Sequence, residues 1–238
     1  MTEGTAERRA ELAGRLAAVR ERIANACRSA GRSPGEITLI AVTKTFPAAD
    51  VRLLAELGVH HIGENKDQEA ARKAAECAGL SGVLTWHFIG QLQTNKAASV
   101  VRYADYVHSV DRPRLVGALG RRARMAGRVV TCLIQASLDE APGRGGAAEA
   151  DIPRLAEAVA AEGGLVLGGI MAIAPLGTPP AEAFAALPRL SAAVRKIRTE
   201  AGIISAGMTA DMVEAIAAGA THVRIGTALL GGRPSFVG

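Results

Sequence analysis

The chain has 238 residues, 49% of them hydrophobic, with a formal charge of +5 from 28 basic and 23 acidic side chains and a mean hydropathy of +0.18. Those figures describe one large globular α/β domain and exclude an extended disordered chain. With 3% aromatic residues, little is available to stack on single-stranded nucleic acid.

The N-terminus is polar, Met1-Thr2-Glu3-Gly4, and passes into a charged helix. No apolar stretch reaches the ~18 residues that cross a bilayer, so a cytoplasmic protein with neither membrane nor nucleic-acid partner is expected. From residue 6 to 29, Leu12, Leu16, Val19, Ile23 and Cys27 recur at helical spacing and form one apolar stripe, ended by Gly31 and Pro34. Beyond it, apolar strand-like runs alternate with helical segments, at about 37–43, 59–63, 84–89, 105–109, 129–136, 165–172, 202–206 and 222–226. Eight such βα repeats predict a barrel of parallel strands. Helix signals fall between them: Pro47 with Gly58, Pro113 with Gly127, and Asp211 before Gly219. Thr209 is read as the start of a helix, with Asp211 in its first turn. The segment after the last strand is too short for a full closing helix, so the N-terminal helix is expected to cover that part of the barrel. The basic cluster Arg121, Arg122, Arg124 and Arg128 reads as a solvated helix face. Cys27, Cys77 and Cys132 are widely spaced and predict reduced structural thiols without a metal.

In a βα barrel the chemistry sits at the carboxyl ends of the strands, so the residues following each strand form one group. The first strand ends at Lys44, before a turn at Phe46-Pro47; a pocketed lysine there could attack a carbonyl and form a Schiff base. The next strands offer Glu64 and Asn65, then His87, Gln91 and Asn95-Lys96, then Ser109, Asp111 and Gln135. His87 could shuttle a proton at the mouth or simply be hydrogen-bonded within a strand. Lys96 could attract phosphate or simply begin a helix. Ser205-Ala206-Gly207-Met208-Thr209 and Arg224-Ile225-Gly226-Thr227 supply hydroxyls and glycines where barrel enzymes frequently hold phosphate. A phosphorylated aldehyde fits this pairing, although Ser205 and Thr209 could equally be helix caps.

Several motifs are specific: Ala41-Val42-Thr43-Lys44, His61-Ile62-Gly63-Glu64-Asn65 followed by Gln68-Glu69, and Trp86-His87-Phe88-Ile89-Gly90-Gln91-Leu92-Gln93-Thr94-Asn95-Lys96. With Ile204 to Thr209, Asp211, and Val223 to Thr227, they cover nearly the whole chain. The sequence resembles the YggS/PROSC (PLPBP) family of pyridoxal 5′-phosphate (PLP) homeostasis proteins. The resemblance implies a single domain over residues 1–238, a TIM-type (β/α)8 barrel like the N-terminal domain of alanine racemase, the fold-type III of PLP proteins. It implies PLP held as a Schiff base on Lys44, with Arg224 near the pyridine nitrogen and Asn65 near the ring. Ser205, Thr209, Gly226 and Thr227 would surround the phosphate, in the segment that includes Met208. An arginine at the ring nitrogen would weaken the cofactor as an electron sink.

Racemisation also needs an acid/base from a second domain, and neither Tyr103 nor Tyr106 matches it. The resemblance therefore implies a non-catalytic carrier that buffers PLP, delivers it to apo PLP-dependent enzymes and affects amino-acid and keto-acid balance indirectly, as a monomer. A PLP-dependent racemase or lyase is the alternative, and a lysine-dependent aldolase on a phosphorylated sugar a third reading. Against the family pattern, Ala206 replaces a usual methionine, Thr209 a usual serine, and Arg144 a lysine common in the Gly-rich loop, which puts cofactor transfer through that loop in doubt.

Overall fold

The computed structural model describes residues 3–139 and 145–232. Eight parallel strands pair in chain order: β1 (Thr38–Val42), β2 (His61–Glu64), β3 (Thr85–Phe88), β4 (Tyr106–Val110), β5 (Val130–Gln135), β6 (Leu165–Met171), β7 (Ile203–Ser205) and β8 (His222–Ile225). β8 returns to β1, with Ile40 opposite Arg224 and Ala41 opposite Ile225, and closes the barrel. The predicted strands are all present; β2 and β4 end one residue later than their sequence patterns suggest. The helices are α1 (Glu3–Ser29), α2 (Ala48–Glu56), α3 (Asp67–Glu76), α4 (Ala97–Tyr103), α5 (Pro113–Met125), α6 (Ile152–Ala161), α7 (Pro180–Phe184), α8 (Leu187–Arg195), α9 (Met212–Ala217) and α10 (Thr227–Leu230).

Alternation along the strands divides their side chains between two environments. Ala41, Ile62, Trp86, Phe88, Val107, Cys132, Ile134, Ile204, Val223 and Ile225 face outward and pack under the helices. The intervening positions, among them Ile40, His87, His108, Leu133, Ser205 and Arg224, are equally buried but belong to neither helix-packed cluster; they fill the barrel. The interior is thus unusually polar for a buried layer, and each polar group in it needs a partner.

α1 lays Leu12, Leu16, Val19, Ile23 and Cys27 against α2, α9 and α10, covering the barrel wall beside β8 and β1. Pro47 precedes α2, Pro113 opens α5, and Gly58 and Gly127 follow those helices with positive φ. The helix expected from Thr209 begins instead at Met212. The Asp211 carboxylate accepts from the Met208 amide at 2.6 Å and the Asp211 amide donates to the Met208 carbonyl at 3.2 Å, so these residues form a turn that Asp211 closes. α9 has only six residues, and the dipole argument for an anion at Thr209 does not apply.

Arg121, Arg122 and Arg124 are exposed, and Arg124 and Arg128 pair with Glu162 and Asp105. All three cysteines are free and buried; burial raises each thiol, that of Cys132 to about 12. Among the described residues no group of acidic, histidine and cysteine side chains could hold a metal, and no helix is long and apolar enough to cross a membrane.

Candidate functional site

Lys44 stands two residues beyond β1, in a turn that contains Thr45 at φ 70°. A β-branched residue adopts this left-handed conformation only where its surroundings impose it. Here the Thr45 amide donates to Glu69 Oε1 at 2.5 Å, and the Phe46 amide to the Thr43 carbonyl at 3.0 Å. Underneath lies Lys73 of α3, whose side chain is 2% exposed. Its ammonium donates to the Thr43 carbonyl at 2.7 Å, Glu64 Oε1 at 2.5 Å and Glu69 Oε1 at 3.1 Å. Thr43 Oγ1 donates to the same Glu64 oxygen at 2.5 Å. Burial pushes the Glu64 carboxyl above its ordinary value, with Lys73 opposing. This buried ionic cluster fixes the turn, while the half-buried Lys44 amine makes no hydrogen bond or ion pair among the described residues.

Asn65 follows β2 and is half-buried. The loop after β3 passes so close that a Cβ on Gly90 would lie 2.1 Å from the Asn65 carbonyl oxygen, which explains why glycine occupies the Trp86 to Lys96 motif at that point. A cavity of about 460 Å³ beside Asn65 is lined also by Gln68, Gln91 and Lys96.

Across the β1–β8 seam is Arg224, only 4% exposed. Its Nη1 donates to Ser205 O at 2.7 Å and Ser205 Oγ at 2.8 Å, and its Nη2 to Ala172 O at 2.9 Å. Burial lowers its pKa to about 10, against the pull of Asp211, so it remains a cation at neutral pH. No carboxylate lies within ion-pair distance of it among the described residues. A buried cation without a counter-charge strongly favours an electron-rich ligand atom beside it.

Ser205 is fully buried and committed to Arg224 and to His108 Nδ1, 3.0 Å away. Gly207 has φ 91°, and a Cβ there would lie 2.7 Å from that of Ala215. Met208 is exposed, Thr209 is half-buried, and the Thr209 carbonyl accepts from Arg22 at 3.0 Å. Gly226 is half-buried and Thr227 exposed at the start of the four-residue α10, and the Gly226 carbonyl accepts from the Leu229 and Leu230 amides at 3.0 and 2.8 Å.

The β1–β8 pairing therefore places Lys44, just beyond β1, at the same end of the barrel as Arg224 on β8 and Gly226 and Thr227 that follow it, with Ser205, Met208 and Thr209 beside them on β7 and its following turn. Other residues grouped by sequence position go elsewhere. Glu64 is drawn under the sheet by Lys73. His87 is buried in the barrel and hydrogen-bonded on both sides, and Asp111 pairs with Arg112. Gln135 donates to Gly145 O at 2.7 Å. Tyr103 bonds Asp67 at 3.5 Å, and Tyr106 opens β4 at the amino end of the barrel, so it cannot act as a base at the carboxyl end. Sequence reasoning passed over Lys73, His61 and His108; for the two histidines the available signal was polar side chains within apolar strand runs, and for Lys73, on the charged helix α3, there was none. Arg144 lies outside the described residues.

The family model described as "Alanine racemase, N-terminal domain" matches residues 15–234. A protein of Mycobacterium bovis named pyridoxal phosphate homeostasis protein is 42% identical over 244 residues, with 95% of each chain covered. The structure of PipY from Synechococcus elongatus with PLP bound superposes with a TM-score of 0.80 at 36% identity, covering 92% of this chain and all of that one. Alanine racemase of Streptomyces coelicolor shares the fold, with a TM-score of 0.73 at 19% identity over 94% of this chain and 58% of the racemase.

Proposed function

The chain belongs to the pyridoxal phosphate homeostasis proteins of the alanine racemase N-terminal domain family, and from that premise we propose that it binds PLP at the barrel mouth, through Lys44, as a carrier or buffer of the cofactor. The residues present fit such a group. An amine without a partner stands on one side of the β1–β8 seam, and a buried cation without a counter-charge on the other. PLP supplies an aldehyde that condenses with a lysine amine, losing water.

The chain's own residues divide the remaining work. Lys73, Glu64 and Glu69 hold the backbone of the turn that carries Lys44 at the carboxyl end of β1. Arg224, a permanent cation fixed by three hydrogen bonds, presents positive charge where the ring nitrogen would sit and disfavours a proton there. Gly226, Thr227 and Thr209 would provide donors for the phosphate, and Asn65 would approach the ring. Neither Tyr103 nor Tyr106 is placed to exchange a proton at the mouth, which favours holding and releasing the cofactor over racemisation. Recipients would be apo PLP-dependent enzymes.

The observation that carries this reading is the unpaired Lys44 amine beside the uncompensated Arg224 cation. Purified protein is mixed with PLP, scanned for absorbance, reduced with borohydride and mapped by mass. Label on Lys44, lost in Lys44→Ala with the fold retained by circular dichroism, is the expected result. Unchanged absorbance in the variant would sink the assignment. Amino-acid turnover by the loaded protein would favour the enzyme alternative.

A further inference from the structure

A continuous line of hydrogen bonds runs through the barrel interior from the mouth to the opposite face. Arg224 Nη1 meets Ser205 Oγ at 2.8 Å; Ser205 Oγ meets His108 Nδ1 at 3.0 Å. His108 Nε2 meets His87 Nδ1 at 2.9 Å, and His87 Nε2 meets His61 Nδ1 at 2.9 Å. His87 and His108 are fully enclosed, whereas His61 is half-buried and lines a pocket of about 830 Å³ at the amino end, with Trp86, Tyr106, Arg102 and Arg128. Three strands, β2, β3 and β4, each contribute one imidazole, so the line crosses the sheet rather than following one element.

The direction of every bond follows from Arg224. A guanidinium only donates, so Ser205 Oγ accepts from it. The hydroxyl proton, fully buried, then has His108 Nδ1 as its acceptor. That makes His108 the Nε2–H tautomer, donating to His87 Nδ1; the same logic makes His87 and His61 Nε2–H tautomers. Burial, together with the neighbouring imidazoles, lowers the pKa of His87, and burial with Arg224 and His222 lowers that of His108, so both are neutral and each carries one proton.

We propose that His108, His87 and His61 are positioning residues of the mouth, an imidazole chain that decides what Ser205 offers there and inverts as a unit when an acceptor occupies it. With the mouth empty, the Ser205 hydroxyl points inward and gives the mouth no donor. With an acceptor such as a phosphate oxygen present, Ser205 donates outward while still accepting from Arg224. His108 then donates from Nδ1 to Ser205, His87 from Nδ1 to His108, and His61 from Nδ1 to His87. The inversion balances: one proton enters Ser205 Oγ from the entering ligand or the water it carries to the buried hydroxyl, one passes along each link, and one leaves His61 Nε2 for water in the pocket. No imidazole changes charge and no hydrogen bond is lost. At the amino-end pocket, His61 Nε2 changes from donor to acceptor, so occupancy of the mouth is readable on the far side of the barrel. The occupied state of this proposal rests on the PLP reading above; the empty state does not.

Nitrogen-15 NMR of histidine-labelled protein separates protonated from bare imidazole nitrogens. Ligand-free protein at neutral pH should show the Nε2–H tautomer at all three histidines, and PLP should convert His87 and His108 to Nδ1–H. Any of the three as Nδ1–H in the ligand-free protein overturns the chain, and unchanged tautomers in protein carrying label on Lys44 overturn the inversion. Two substitutions at the pocket rim impose opposite directions without touching the mouth. His61→Glu supplies an obligate acceptor and should hold Nε2–H; His61→Lys supplies an obligate donor and should force Nδ1–H at His87 and His108 even without ligand. PLP should bind His61→Glu about tenfold more weakly than His61→Lys, the value of one hydrogen bond. Equal tautomers in the two variants would refute the proposal. Should PLP fail to label Lys44 in wild-type protein, the functional reading falls, and the ligand-free spectra of wild type and variants still decide the chain.

Discussion

Lys73→Met tests the ionic cluster under Lys44. The substitution keeps most of the side-chain volume and removes three donations, to Thr43 O, Glu64 Oε1 and Glu69 Oε1. It leaves Glu64, whose side chain is 1% exposed, without its cation, and Glu64 Oε2 already has no hydrogen-bond partner. Removing one partner of a buried pair costs roughly 3–5 kcal/mol, because the survivor is an uncompensated buried charge. Glu64 already has a raised pKa and escapes part of that cost by taking up a proton, so the lower figure, about 3 kcal/mol, applies. In a chain of this size that corresponds to a melting temperature lower by about 6–12 °C. Urea unfolding gives the free energy directly. The sign of the pH effect also follows: a carboxyl whose folded pKa is raised contributes stability below its unfolded value and loses it as pH rises through the folded value. The variant should therefore regain stability towards pH 4.5 relative to wild type. Hydrogen exchange at the Thr45 amide should accelerate, since Glu69 loses its anchor. In Lys73→Met/Glu64→Leu most of the loss should be recovered. A single-variant loss below about 1 kcal/mol, or strictly additive single and double variants, would refute the account of the cluster as a coupled brace.

Acid should weaken the fold through its histidines. His222 falls from 6.5 to about 4 through burial, with His61 adding to the effect, a change worth about 3 kcal/mol. A group with a depressed folded pKa stabilises above its unfolded value, and that contribution is lost as pH drops from about 6.5 to about 4. His61, His87 and His108 shift the same way, so urea midpoints should decline steeply across that window; a flat profile would show the imidazoles to be solvated. Gly90→Ala should cost about 1–3 kcal/mol, because its Cβ would collide with the Asn65 carbonyl oxygen. Calorimetry that finds the variant as stable as wild type would mean the two loops do not meet in solution.

The barrel was legible because parallel strands buried on both faces read as continuous apolar runs, and eight of them were visible. That Lys44, Arg224 and Gly226 share one end of the barrel was legible because βα topology sends strand ends to one face. Two kinds of feature were not. The histidine chain joins positions 21 and 26 residues apart, then His108 to Ser205 across 97; no local pattern encodes which inward-facing polar groups will meet. Lys73 sits on a helix whose sequence reads as charged and surface-facing, and only the docking of α3 shows its ammonium buried. The misplaced start of α9 has a local cause: Asp211 can serve a first turn or close the turn before it, and the Met208 amide decided for the latter.

Pairing of β1 with β8 joins residues 38–41 to 222–225, nearly the full span of the described chain. During synthesis, Lys44 emerges from the ribosome long before Arg224, and closing so long a loop is among the slowest and entropically costliest contacts in the fold. A nascent or truncated chain ending before β8 carries Lys44 without Arg224, the buried cation across the seam. Under the proposed function, capture of PLP would be deferred until the last seam of the barrel is sewn, making the cofactor itself a reporter of completed folding.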